Sequence, residues 1–110
     1  MTAVTDLGSA ATPAVAALLG NYPNPFNPMT HIRFALDQPA LARITIYSVT
    51  GQRIRTLVEG RAAAGTHEVW WDGRDAAGHN VSTGVYLVQM EAASEIGDVF
   101  RQSRRMTLIR

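Results

Sequence analysis

The 110-residue chain carries ten basic and nine acidic side chains, a formal net charge of +1 and no cysteine. A chain of this length supports one domain that buries roughly two-thirds of its unfolded surface. The near-neutral charge argues against a general nucleic-acid or polyanion binder, and the lack of cysteine removes disulfide frameworks and thiolate metal sites without fixing a redox compartment. All ten basic residues are arginine, which excludes Schiff-base chemistry, an intramolecular isopeptide bond and a P-loop lysine. No apolar run reaches the length of a membrane span, so no stable membrane insertion is expected. The start, MTAVTDLGS, lacks the basic n-region and apolar core of a signal peptide. The chain reads as part of a larger protein, whose parent would supply any export signal.

Residues 1–17 are Ala, Thr and Val with scattered Gly, Ser and Pro and no sustained period, which predicts a flexible linker. A short helix through Ala14 to Leu19 is the alternative. The folded part is expected from Leu18 to Arg110. Its lead-in is NYPNPFNP, Asn21 to Pro28. Pro23, Pro25 and Pro28 lack an N–H and press Tyr22, Asn24 and Asn27 towards extended or polyproline conformations. The asparagine amides can replace the ladder partners that proline removes. Tyr22 and Phe26 are then free to pin the stiff segment to a core.

From residue 30 the pattern has period two. In THIRFAL, Ile32, Phe34 and Leu36 share a face opposite His31 and Arg33. LARITIYS alternates in the same way, with Ile44 and Ile46 on one side and Tyr47 on the other, and both read as half-buried strands. Gly51 marks the turn into QRIRTL, where the spacing from Ile54 to Leu57 breaks alternation and suggests a bulge. THEVWWD follows Gly60 and Gly65 and places Val69 and Trp71 opposite Glu68 and Trp70. DGRDAAGHN is dense in turn formers; Gly84 then opens VYLVQMEA, and a turn near Glu95, Gly97 and Asp98 leads into VFRQSRRMTLIR. Six or seven short strands without a long helix predict an all-β antiparallel sandwich. The expected core is Phe34, Leu36, Ile44, Ile46, Ile54, Val69, Trp71, Tyr86, Val88, Met106 and Leu108.

Each candidate site has a plain structural reading beside it. Asp72, Asp75 and Asn80 are oxygen donors suited to calcium, but their spacing departs from the EF-hand loop, and tight connections use the same residues. His31, His67 and His79 lack metal-ligand spacing. No G-x-S-x-G occurs, so a serine hydrolase finds no support and an enzyme is not expected. Trp70 must point away from Trp71, either stacking on a sugar, with Tyr47 beside it, or covered by a loop or arginine stems. The final arginines, Arg101, Arg104, Arg105 and Arg110, are either a solvated strand face or a recognition element. Alternation sets Arg101 and Arg105 opposite Met106 and Leu108, with Arg104 on the apolar face near an open rim.

NYPNPFNP, IYSVTGQRIRTL, GTHEVWWDGRDAAGHNVSTGVYLVQM and the basic ending RRMTLIR, in that order over residues 18–110, resemble the C-terminal sorting domain (type A) of type IX secretion cargo. The motif residues are the proline segment with Gly51, Trp71, Asp72, Gly73, Asp75, Gly78, Gly84 and Tyr86. Ser48 stands where the family usually has an acid after Ile-Tyr, which changes a local turn bond. Arginines replace many of the relatives' lysines and alter the charge geometry.

The resemblance implies an immunoglobulin-like sandwich of seven strands with no catalytic residue, metal or cofactor. It implies fusion to an N-terminal cargo domain that passes through the periplasm to the cell surface or medium. The expected partners are the outer-membrane translocon, contacting the edge of the last strand through Arg101, Arg104 and Arg105, and a sortase-like cysteine peptidase cutting within residues 1–20. The Trp-Asp-Gly and Gly-x-Tyr region is also similar to the immunoglobulin-like domain of flagellar hook-capping proteins, which implies a structural role instead. A carbohydrate-binding module using Trp70 is a third possibility.

Overall fold

The computed structural model describes residues 16–95 and 97–110. Seven strands follow one another: β1 (Ala16–Tyr22), β2 (Thr30–Leu36), β3 (Ala40–Ser48), β4 (Arg53–Ala62), β5 (Gly65–Trp71), β6 (Gly84–Ser94) and β7 (Val99–Leu108). They form a three-stranded sheet in the order β1-β2-β5 and a four-stranded sheet in the order β4-β3-β6-β7, antiparallel throughout. This is an all-β, immunoglobulin-like sandwich.

The alternating sequence pattern becomes two inner faces. Ile32, Phe34 and Leu36 of β2 meet Ile44 and Ile46 of β3, Val88 and Met90 of β6, and Met106 and Leu108 of β7, all buried. Each large aliphatic side chain sealed in this way contributes roughly 1.5–3 kcal/mol relative to exposure. Ile54 and Val69 are only partly buried and pack against this core from its margin. At one end Trp71 is fully enclosed, with Phe26 at a ring-centroid distance of 5.5 Å and Tyr86 at 5.4 Å. Its indole N–H donates to Arg74 O at 2.9 Å, and the Tyr86 hydroxyl donates to Ser82 O at 2.6 Å. Both polar tips of the aromatic cluster therefore have partners, which makes their burial affordable in free energy.

Two irregularities follow from the sequence. Between β3 and β4 the register slips at Leu57 and again at Ile54, and both pack against the core margin together with Val58 and Ala62 of the same strand. In β1 the register slips between Leu18 and Gly20. Gly20 takes a φ of +117°, a conformation that a side chain would strain.

β1 begins at Ala16, which is buried, so the folded part includes the two residues ahead of Leu18. Residues 16–22 form a strand, and the helix considered for Ala14–Leu19 does not form across them, because Ala16 and Leu18 alternate into the core. The rest of the expected linker, residues 1–15, lies outside the described residues.

Candidate functional site

The proline segment straps one end of the sandwich to the last strand. Phe26 N donates to Thr107 O, and Ile109 N donates to Phe26 O, each at 2.9 Å, forming a parallel bridge between Phe26 and Leu108. Asn24 imitates a further peptide: its Oδ1 accepts Thr107 N at 3.0 Å and its Nδ2 donates to Arg105 O at 3.4 Å. Asn21 Nδ2 donates to Thr30 Oγ1, which in turn donates to Pro23 O at 2.9 Å, so the fully buried Thr30 is satisfied by the strap's own entrance. The peptide bonds before Pro23, Pro25 and Pro28 are cis. Phe26 alone pins the segment to the core. Tyr22, expected to share that task, is 78% exposed, because the bulge in β1 turns Asn21 inward and Tyr22 outward.

The other half of the β7 edge closes against β1 through side chains. Leu18 N donates to Gln102 Oε1, and Leu18 O accepts from Arg104 Nε, both at 2.9 Å. Gln102 and Arg104, two apart on β7, thus replace one rung of a ladder between edges too distant for backbone pairing. The β7 backbone edge, expected as the receptor contact, is already occupied along Arg105–Ile109 by the strap.

The four terminal arginines divide among three environments. Arg101 donates to Glu91 at 2.7 Å on the outer face of the four-stranded sheet. Arg110 is a structural tie: Nε donates to Val81 O at 2.6 Å, Nη2 donates to Gly73 O, and its backbone N donates to Thr83 Oγ1. Gly73 has φ +74°, and a Cβ there would stand 2.8 Å from Arg110 Nη2 and 3.3 Å from Pro28 O. Its glycine therefore allows the Trp-Asp-Gly turn, the strap and Arg110 to meet. Arg104 and Arg105 line a cleft of about 380 Å³ together with Arg33, Leu19, Gly20, Asn21, Tyr22 and Asn24. Among the described residues no carboxylate lines it. Among the described residues none of these three guanidiniums makes an ion pair. Arg33 is the member that strand periodicity left unflagged, since only the pairing of β2 with β1 brings it there.

The remaining candidates take local roles. Asp75 Oδ1 accepts the backbone N–H of Ala77 and His79, and Asp72 Oδ1 accepts Arg74 N and lies 3.4 Å from Arg55 Nη1. Asn80 bridges to Arg74, Gly78 N donates to Asp75 O, and Gly84 opens β6. Ser48 performs a turn-capping task, its Oγ accepting Gln52 N at 3.1 Å while Gly51 N donates to Ser48 O. Asn27 and Pro25 stand exposed on the strap. Trp70 is 51% exposed, but Tyr47 lies on the opposite sheet. Its neighbour is His31, at a ring-centroid distance of 3.7 Å. The three histidines do not converge: His31 sits 3.1 Å from Glu68, His67 contacts Ala63 O at 2.7 Å, and His79 lies in the 72–80 turn.

The family model described as FlgD Ig-like domain matches residues 27–95. Dimeric latent PorU from Porphyromonas gingivalis superposes with a TM-score of 0.74 at 18% identity, over 96% of this chain and 10% of PorU. FlgD from Xanthomonas campestris, a protein of flagellar hook capping, superposes with a TM-score of 0.62 at 18% identity, over 84% of this chain and 67% of FlgD. PorZ from P. gingivalis, an essential surface component of its type IX secretion system, superposes with a TM-score of 0.55 at 25% identity, over 82% of this chain and 11% of PorZ. The chain thus spans only about a tenth of PorU and of PorZ. No curated protein matches it in sequence.

Proposed function

We propose that this chain, which belongs to the FlgD Ig-like domain family, is a non-catalytic sorting signal. In this reading it directs a fused N-terminal cargo domain from the periplasm through the type IX translocon to the cell surface or medium. The observation that carries it is the union of the proline strap with the basic last strand. Asn24 and Phe26 bond to Arg105, Thr107 and Ile109, so the two motifs that most resemble sorting domains form one surface. Such a surface is rigid and offers charge-assisted bonds through Arg104 and Arg105. The likeness to part of PorZ supports the same reading. The translocon and a sortase-like peptidase would be the partners, and the chain itself would need no metal or cofactor.

The test is a reporter with a signal peptide, carrying residues 1–110 at its C-terminus, in a type IX-competent host and in its translocon-deficient twin. Reporter outside the first host and trapped in the periplasm of the second is the expected result. Replacing Arg104 and Arg105 by Gln should abolish export of a folded fusion, whereas Arg101→Gln should leave most of it, since Arg101 already serves Glu91. Equal periplasmic retention in both hosts would count against sorting. The second reading, a structural domain of a hook-cap type assembly, would then take precedence, favoured by the family match and by the 67% of FlgD that the fold covers.

A further inference from the structure

Strand pairing builds a surface that the sorting role does not require. Tyr22 of β1 stands opposite His31 of β2, which stands opposite Trp70 of β5, so the three rings form one row across the outer face of the three-stranded sheet. Strands lie about 4.8 Å apart, so the outer rings span roughly 10 Å. The adjacent row is Gly20, Arg33 and Glu68. Gly20 has no side chain, and over it Arg33 shares the cleft with Arg104 and Arg105. Tyr22 belongs to both features, closing the aromatic row and walling the cleft.

Each feature alone leaves something unsatisfied. Tyr22 is 78% exposed and Trp70 51% exposed with one ring face against His31, and among the described residues the three guanidiniums make no ion pair. A ligand with an apolar ring face at one end and a negative group at the other answers both. We propose that this surface binds an acidic saccharide. A sugar ring stacks on the exposed Tyr22 ring and extends along the row towards Trp70, and its carboxylate, phosphate or sulfate enters the cleft of Arg33, Arg104 and Arg105. His31 lies in the row and Glu68 in the adjacent one, 3.1 Å from His31, placed to meet hydroxyls. A neutral sugar would leave the guanidiniums uncompensated, and an acidic peptide would leave the rings unused. Single-stranded nucleic acid stacks on aromatic rows as well, but it brings a phosphate with every base, whereas the cations lie only at the Tyr22 end of this row.

The inference does not rest on the sorting role and is tested on the purified 110-residue chain. An oligogalacturonide and a sulfated oligosaccharide of similar size are titrated in parallel with maltotriose, oligoglutamate and oligothymidylate. Trp71 is buried, so a surface ligand quenches chiefly Trp70. Saturable quenching by at least one acidic sugar is expected, weakened about tenfold by Tyr22→Ala, which removes the stacking ring, and about tenfold or more by Arg105→Gln, the scale of a lost charge-assisted bond, with unfolding temperatures unchanged. No saturable binding of either acidic sugar would overturn the proposal. So would equal binding of oligoglutamate or oligothymidylate, or acidic-sugar binding indifferent to Tyr22→Ala.

Discussion

The two outer faces of the sandwich use arginine in opposite ways. Across the four-stranded sheet, Glu59, Arg43, Glu91 and Arg101 fall in one register row over β4, β3, β6 and β7. Their charges alternate, with contacts of 3.3 Å, 3.3 Å and 2.7 Å. At the seam between β1 and β7, Arg33, Arg104 and Arg105 share a cleft with no acid among its lining residues. The first face is complete in itself; the second has cationic capacity to spare. Strand β7 contributes to both, so a cluster of basic residues in sequence is not one site in space. The difference teaches where to look for recognition: at the seam, where desolvating the cations would be repaid by a partner's charge.

The seam exists only because the strap holds β7 in place, so the largest effect should come from Phe26→Ala. It removes a buried ring packed on Trp71 and should lower stability by about 3–5 kcal/mol in chemical denaturation. A loss below about 1 kcal/mol would mean that the strap decorates the sandwich without closing it. Asn24→Ala removes two bonds to the β7 backbone from an exposed side chain that water can replace. About 1 kcal/mol is expected, with faster amide exchange at Thr107 as the local signature. Unchanged exchange at Thr107 would show that Phe26 secures the edge alone.

The fold was legible because side-chain period and turn residues agree along the chain. Ile32, Phe34, Ile44, Ile46 and Val88 alternate cleanly, and the break between Ile54 and Leu57 announced its bulge. Tyr22 was misplaced because a bulge one turn earlier reverses which residues face in, and nothing in LLGNYP reveals it without knowing the partner strand. The sequence also grouped Arg101, Arg104, Arg105 and Arg110. Their separation depends on what stands across from each: Glu91 for Arg101, Leu18 O for Arg104, Gly73 O and Val81 O for Arg110. Arg33 was the reverse case, a residue with no local signal that long-range pairing carries to the cleft.

Glu91→Gln should test the completeness of the paired face. It leaves Arg43 and Arg101 without their shared carboxylate, yet both arginines are more than half exposed. The expected loss is therefore under about 1 kcal/mol, and smaller still when the exposed charges are screened by about 1 M salt. A larger loss that resists salt would mean that the row is a packing element and its charges incidental.

The smallest effect on stability, and the sharpest on the comparison, belongs to Arg33→Gln. Removing one of three clustered cations relieves repulsion and breaks no ion pair among the described residues, Glu68 across from Arg33 being paired with His31. Unfolding free energy should stay within about 0.5 kcal/mol of the parent, the range of surface substitutions that disturb no specific contact, and any change should be a gain at low salt that vanishes as screening grows. The same substitution on the opposite face, Arg43→Gln, gives up contacts to both Glu59 and Glu91 and should shift stability the other way. Opposite signs for two Arg→Gln changes, measured side by side at low ionic strength, would establish that one face spends its charge internally while the other keeps it for a partner. Equal signs would place the two faces on the same footing and remove the electrostatic reason for assigning recognition to the seam.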